Sequence, residues 1–150
     1  AITSAMDERV IVEEVIEVQP EPPKVDKPLK VLVVEDNEDN QMLLQAYLAS
    51  TGHTVVLANN GQIALKSVKT NDFDVVFMDM QMPIMDGYNA TRNVRTWEAE
   101  TERPRTYIVA LTANTLPEDR DLCLAAGCDD YLSKPIRKAT FLAALENIAA

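Results

Sequence analysis

From Leu29 onward, apolar positions fall into short runs separated by turn residues. KVLVV (from Lys30 to Val34) and VVFM (from Val75 to Met78) are unbroken apolar runs of strand length, the pattern of strands covered on both faces. His53 to Ala58, Tyr107 to Leu111 (YIVAL) and Asp129 to Leu132 (DDYL) complete five predicted strands. Between them, apolar residues recur at helical spacing. Leu43, Leu44, Tyr47 and Leu48 mark the first helix, and Ile63, Leu65 and Val68 mark the second. Tyr88, Thr91, Val94 and Arg95 lie along one side of a third that starts near Gly87, with Trp97 near its end. Glu98 to Arg105 is a charged stretch that predicts a loop. Phe141, Leu142, Leu145 and Ile148 face inward on the last helix, from about Arg137 to Ile148.

The punctuation agrees. Asn37 or Asp39 caps the first helix and Gly52 closes it, while Asn59, Asn60 and Gly61 lead into the second. Pro117 with Glu118 and Asp119 opens the fourth helix, and Gly127 ends it. Strands alternating with helices imply an α/β fold: a doubly wound, five-stranded parallel sheet with right-handed crossovers and helices on both faces. The order adopted is 2-1-3-4-5, one of the two common doubly wound orders.

Residues 1–28 differ in character. They hold four of the eight prolines and seven acids against three bases, so they read as an acidic, proline-rich linker or tail. Val10 to Val18 (VIVEEVIEV) has strand-forming residues but no neighbouring partner or return turn, and is expected to be flexible. Ala1 is not a natural start, and Ile2 to Met6 is compatible with a cloning remnant. Residues 29–150 form the folded domain, and 150 residues with 47% hydrophobic content suffice for one core. No apolar run reaches membrane-spanning length. A net charge of −10 argues against nucleic acid as partner. Cys123 and Cys128 lack the companions of a zinc site or disulfide framework and read as reduced packing residues. His53 reads as structural. The expected setting is cytoplasmic, either free or tethered to a membrane-bound sensor.

Parallel strands present all their C-terminal ends on one edge, where open α/β sheets bind ligands. Just past strands one, three, four and five stand Glu35 and Asp36, Asp79, Thr112 and Lys134. Two carboxylates about 4 Å apart repel by roughly 4 kcal/mol at an effective dielectric near 20, so this cluster requires a cation or a proton. Oxygen ligands without a His or Cys cluster favour Mg²⁺ (or Mn²⁺), which takes phosphate oxygens as further ligands. Asp79, ending the central strand, is the candidate nucleophile toward a phosphoryl donor. Lys134 and Thr112 are placed to stabilise the transferred group.

Taken singly, each residue has a plainer reading. Strand-end carboxylates are usually turn formers or caps, and Asp39, Asp86, Asp129 and Asp130 are assigned that role. Met78, Met80, Met82 and Met85 are read as packing residues. Four strand ends supplying complementary chemistry together is what outweighs the plainer reading.

VLVVEDN, VVFMDMQMPIMDG, IVALTAN and YLSKPI, in this order, resemble the response-regulator receiver domain of two-component signalling. The resemblance spans about Leu29 to Ile148 and implies a flavodoxin-like fold. It further implies Asp79 as phosphoacceptor, Glu35 and Asp36 as the acidic pair for Mg²⁺, Thr112 as switch hydroxyl and Lys134 as phosphate contact. Tyr131 matches the switch aromatic, and the backbone carbonyl of Gln81 completes the metal ligands. The pair is Glu35-Asp36 rather than two aspartates, which puts direct ligation on Asp36 ahead of Glu35. Gln81 and Asn114 would tune hydrolysis. Base rates favour a trans Lys134–Pro135 bond, whereas the resemblance implies cis. VEDNEDNQ and TWEAETERPRTYIVALTANT look most like receivers of hybrid sensor histidine kinases. The implied protein is a signalling domain that promotes its own phosphorylation and dephosphorylation, in a phosphorelay with a histidine kinase core or histidine phosphotransfer domain. The kinase core is expected to lie outside this chain.

Three rival readings fit these residues less well. A haloacid-dehalogenase-like phosphatase normally needs a second aspartate two residues after the nucleophile, where this chain has Gln81. A flavodoxin-like cofactor binder needs a phosphate-cradling first loop, whereas Glu35-Asp36-Asn37-Glu38-Asp39 repels phosphate. A receiver-like module that is never phosphorylated is disfavoured because every active-site residue type is present.

Overall fold

The computed structural model describes residues 28–114 and 116–149; the predicted linker, including Val10 to Val18, lies outside them except for Pro28. The strands are β1 (Lys30–Val34), β2 (Thr54–Ala58), β3 (Val75–Asp79), β4 (Tyr107–Thr112) and β5 (Asp130–Ser133). They alternate with α1 (Glu38–Leu48), α2 (Gly61–Thr70), α3 (Gly87–Thr101), α4 (Pro117–Ala126) and α5 (Lys138–Ala149). All pairings are parallel and the order is β2-β1-β3-β4-β5, as the alternation predicted. Val34 pairs with Met78 and Asp79 with Leu111, which brings the ends of β1, β3 and β4 to one edge.

The twofold alternation of strand side chains makes two cores. Leu32, Val34, Val76 and Met78 meet α2, α3 and α4 on one face through Ala64, Val68, Ala90, Val94 and Cys123. Val31, Val33, Val75 and Phe77 meet α1 and α5 through Leu44, Leu48, Phe141 and Leu145 on the other. Every residue of β3 is buried. Burying a Leu or Phe contributes roughly 1.5–3 kcal/mol each, so this double-sided strand is firmly held.

Local chemistry sets the boundaries. Asn37, Asn60 and Asp86 cap α1, α2 and α3, each side chain accepting a backbone N–H three residues on. Gly127 closes α4 with φ 113°, a conformation that a side chain would strain. Cys123 and Cys128 are free and buried. No helix among the described residues is long and apolar enough to cross a membrane.

Four expectations are corrected. The charged stretch is not a loop from Glu98: α3 continues to Thr101, and Glu98 is buried. Its carboxylate pairs with Arg95 and accepts the Thr106 N–H at 2.7 Å. Ile63 and Leu43 point outward, because Ala64 and Leu44 take the core-facing positions on those helices. His53 precedes β2 rather than starting it, its Nδ1 accepting the Leu29 N–H at 2.8 Å. β5 begins at Asp130, since Asp129 instead turns its carboxylate to Arg95, Arg105 and the Ile108 N–H.

Candidate phosphoacceptor site

Glu35, Asp36 and Asp79 each offer a carboxylate oxygen, and these atoms lie within 4.8 Å of one another. Glu35 and Asp79 are buried, while Asp36 is exposed at the mouth. β1 delivers the first two and β3 the third. Glu35 is fixed from three sides: its N–H donates to the Ala58 carbonyl, its carbonyl accepts from Gln41 Nε2 at 2.6 Å, and its Oε2 accepts the Asn37 N–H at 3.1 Å.

Lys134 reaches in from the turn after β5. Its Nζ stands 3.1 Å from Glu35 Oε1 and 3.1 Å from Asp79 Oδ1. Burial works to lower the lysine's pKa, but the Asp79 and Glu35 carboxylates outweigh it and hold the ammonium above its ordinary value. The Lys134–Pro135 peptide bond is cis, as the family resemblance implied and base rates did not.

The approach of Lys134 to Glu35 Oε1 has ion-pair distance without hydrogen-bond alignment. Oε1 is thus a buried oxygen with no hydrogen bond among the described residues. Three carboxylates against one ammonium leave the pocket at a net −2. An unsatisfied buried oxygen in an excess of negative charge, with oxygen donors only, fits a hard divalent cation.

Asp79 Oδ1 faces the Lys134 ammonium at ion-pair distance and accepts the Gln81 N–H at 3.1 Å. Oδ2 has no such donor among the described residues. Gln81 projects into solvent beside the pocket, as does Asn114. Thr112 is buried at the end of β4, but its hydroxyl is turned to the next loop: it donates to the Asn114 carbonyl at 3.2 Å and accepts the Asn114 N–H at 3.1 Å. Tyr131 on β5 is half-buried against the α2–α4 core, with the Arg120 guanidinium 5.3 Å from its ring centroid.

Gly87, which in the sequence marks only the start of a helix, also shapes the site. Gly87 packs so closely under the site that a Cβ there would lie 2.3 Å from the Asp79 carbonyl oxygen and 2.5 Å from Met80 Cε. Its N–H donates to the Met80 carbonyl at 3.2 Å, closing the turn that aims Asp79. A glycine after a turn was legible, but the backbone beneath it was not.

The family model for the response regulator receiver domain matches residues 31–146. The chain belongs to this family. It is 44% identical over 115 residues to the sensor protein GacS of Pseudomonas syringae, covering 77% of this chain and 13% of that protein. It is 38% identical over 130 residues to histidine kinase 5 of Arabidopsis thaliana, covering 71% of this chain and 14% of that protein. The receiver thus corresponds to a small part of these relatives.

Among solved structures, it resembles the receiver domain of sensor histidine kinase PA1611 from Pseudomonas aeruginosa, which holds a magnesium ion in its active-site cleft. That match has TM-score 0.73, 40% identity, and covers 82% of this chain and 98% of that one. It also resembles the Saccharomyces cerevisiae receiver of Ssk1, crystallised with the histidine phosphotransfer protein Ypd1. There the TM-score is 0.74 and the identity 35%, covering 82% of this chain and 87% of that one.

Proposed function

We propose that this receiver accepts a phosphoryl group on Asp79 from a phosphohistidine carried by a histidine kinase core or a histidine phosphotransfer domain. The observation carrying the proposal is the Lys134 ammonium set between Glu35 and Asp79, beside a three-carboxylate cluster at the sheet edge. An Asp79 carboxylate oxygen forms the new O–P bond as the N–P bond breaks, and the nitrogen keeps the bonding pair. Lys134, already held at the attacking carboxylate, meets the charge on the phosphoryl oxygens. Asp36, Asp79, Glu35 and the Gln81 backbone carbonyl are the residues that would hold Mg²⁺ or Mn²⁺, which would neutralise those oxygens during transfer. Similarity to a magnesium-bound receiver supports that reading.

Phosphorylation replaces the single charge of the Asp79 carboxylate with a phosphoryl group carrying up to two negative charges beside Thr112. The Thr112 hydroxyl then exchanges its Asn114 partner for a phosphoryl oxygen, and Tyr131 repacks into the space left, biasing the face of α4, β5 and α5 toward a different partner. Gln81 and Asn114 flank the path of hydrolytic water and set the lifetime of the acyl phosphate.

A shallow cleft of about 300 Å³ lined by Leu43, Leu44, Pro135 and Ile136 opens beside Lys134. The outward Leu43 gives it an apolar shoulder for the phosphodonor protein. Free, buried cysteines suit a cytoplasmic setting for this exchange. The test is radiolabel incorporation from a small acyl phosphate and from a phosphorylated phosphotransfer domain, with and without Mg²⁺. Incorporation should require the metal and vanish in Asp79→Asn; full labelling of that variant would sink the assignment.

A further inference from the structure

The sheet edge opposite Asp79 carries a groove that phosphotransfer does not use. It measures about 500 Å³ and lies between the C-terminal ends of α2 and α3 and the starts of β3 and β4. Val68, Phe73, Trp97 and Pro104 give it an apolar floor, and Arg103 and Arg105 stand at its rim. Arg103 lies 5.0 Å from the Trp97 ring centroid.

The described chain enters at this rim. The Lys30 N–H donates to Asp74 Oδ2 at 2.8 Å and its ammonium donates to Asn71 Oδ1 at 3.0 Å, both residues being groove liners. The same ammonium sits 5.3 Å from the Phe73 ring centroid.

We propose that this groove seats the chain's own residues 19–23 (QPEPP). Three observations converge on that occupant. The tether fits: Pro23 precedes Lys30 by seven residues. At about 3.1 Å per residue these span up to roughly 20 Å from the rim, which lets the segment lie back along the groove. The chemistry fits: Pro20, Pro22 and Pro23 lack N–H groups, so they enter an aromatic-floored groove without leaving donors unpaired, and Pro20 to Pro23 has the Pro-x-x-Pro spacing that such grooves take. The charge fits: the one charged side chain of the segment, Glu21, is an acid. Arg103 and Arg105 are 39% and 58% exposed in their side chains; Arg103 pairs with Asp72, and Arg105 with Asp129 and the Gly127 carbonyl. Docking there holds the N-terminal tether on the side away from Asp79, leaving the phosphoacceptor edge open to its donor. The proposal stands independently of the assignment of Asp79.

Trp97 is the sole tryptophan, so its indole N–H gives one resonance in a nitrogen-15 spectrum. Cys123 and Cys128 are 0% and 3% exposed, so a nitroxide attached through Gln19→Cys in the full chain labels one position. The Trp97 indole and Thr106 amide signals should lose more than half their intensity, while that of Leu122, on the exposed face of α4, is unchanged. Adding Pro20→Ala, Pro22→Ala and Pro23→Ala should restore both signals without altering labelling of Asp79 by an acyl phosphate. Mixing labelled, unenriched chains with enriched, unlabelled ones should leave intensities unchanged. Absence of attenuation in the single chain, its persistence after the proline substitutions, or its appearance in the mixed sample, which would make a second copy the occupant, overturns the proposal.

Discussion

Replacing Lys134 with alanine removes the one ammonium set between two buried carboxylates. Each 3.1 Å contact is worth about 5 kcal/mol of attraction at an effective dielectric near 20, before the cost of burying the charges is set against it. Losing one partner of a buried pair typically destabilises by roughly 3–5 kcal/mol, because the other partner is left uncompensated. Lys134 is 24% exposed in its side chain while Glu35 and Asp79 are 1% and 3% exposed, so the lower end applies, about 3 kcal/mol. Urea denaturation in EDTA should show that loss. In saturating Mg²⁺ the gap should narrow, since the variant's pocket is one charge more negative and binds the cation more tightly. Initial phosphorylation by an acyl phosphate should fall by about 100-fold or more, the scale of losing one preorganised charge-stabilising group. A variant within 1 kcal/mol of the parent in EDTA, or a gap unchanged by Mg²⁺, would refute this account of the pocket.

Three other outcomes are expected. Gly87→Ala forces a Cβ against the Asp79 carbonyl and should cost about 1–3 kcal/mol in urea denaturation and slow phosphoacceptance; a variant equal to the parent in both would mean the turn yields freely. Arg95 binds the Gly127 and Thr106 carbonyls, Glu98 and Asp129 at 2.8–2.9 Å, so Arg95→Ala should lower stability by about 3 kcal/mol, with Arg95→Lys recovering only part because an ammonium cannot fork to all four. His53 is held below its ordinary 6.5 by burial, against an opposing pull from Asp74. The unfolded chain therefore takes up the proton first, and stability falls as pH drops through that value. His53→Gln should flatten the fall in urea midpoint between pH 7.5 and 5.5, and equal slopes in the two proteins would count against it.

The edge that holds the candidate site was legible because each contributor follows an apolar run directly, so locating the strands located Glu35, Asp79, Thr112 and Lys134. Charge was the less readable signal. Glu98 looks solvated in a row of acids and bases, and only the fold shows Arg95 one turn earlier and the Thr106 N–H across the loop claiming its carboxylate. Helix phase failed where alanine carries the core contact, as Ala64 does in place of Ile63, because a small residue contributes little to an apolar pattern while fitting best against a sheet. Hydroxyl direction at Thr112 and the contact under Gly87 depend on backbone placed by distant segments, which no local pattern encodes.

Lys134 lies 99 residues beyond Glu35 and 55 beyond Asp79, yet meets both. Until β5 has paired with β4, the carboxylates of β1 and β3 face one another with no ammonium between them. The pocket is therefore complete only when β1, β3 and β5 all stand in the sheet, and without the turn after β5 its acids would repel a phosphoryl donor. Competence to take the phosphoryl group would thus report that β1, β3, β4 and β5 stand in register, across a span of 99 residues.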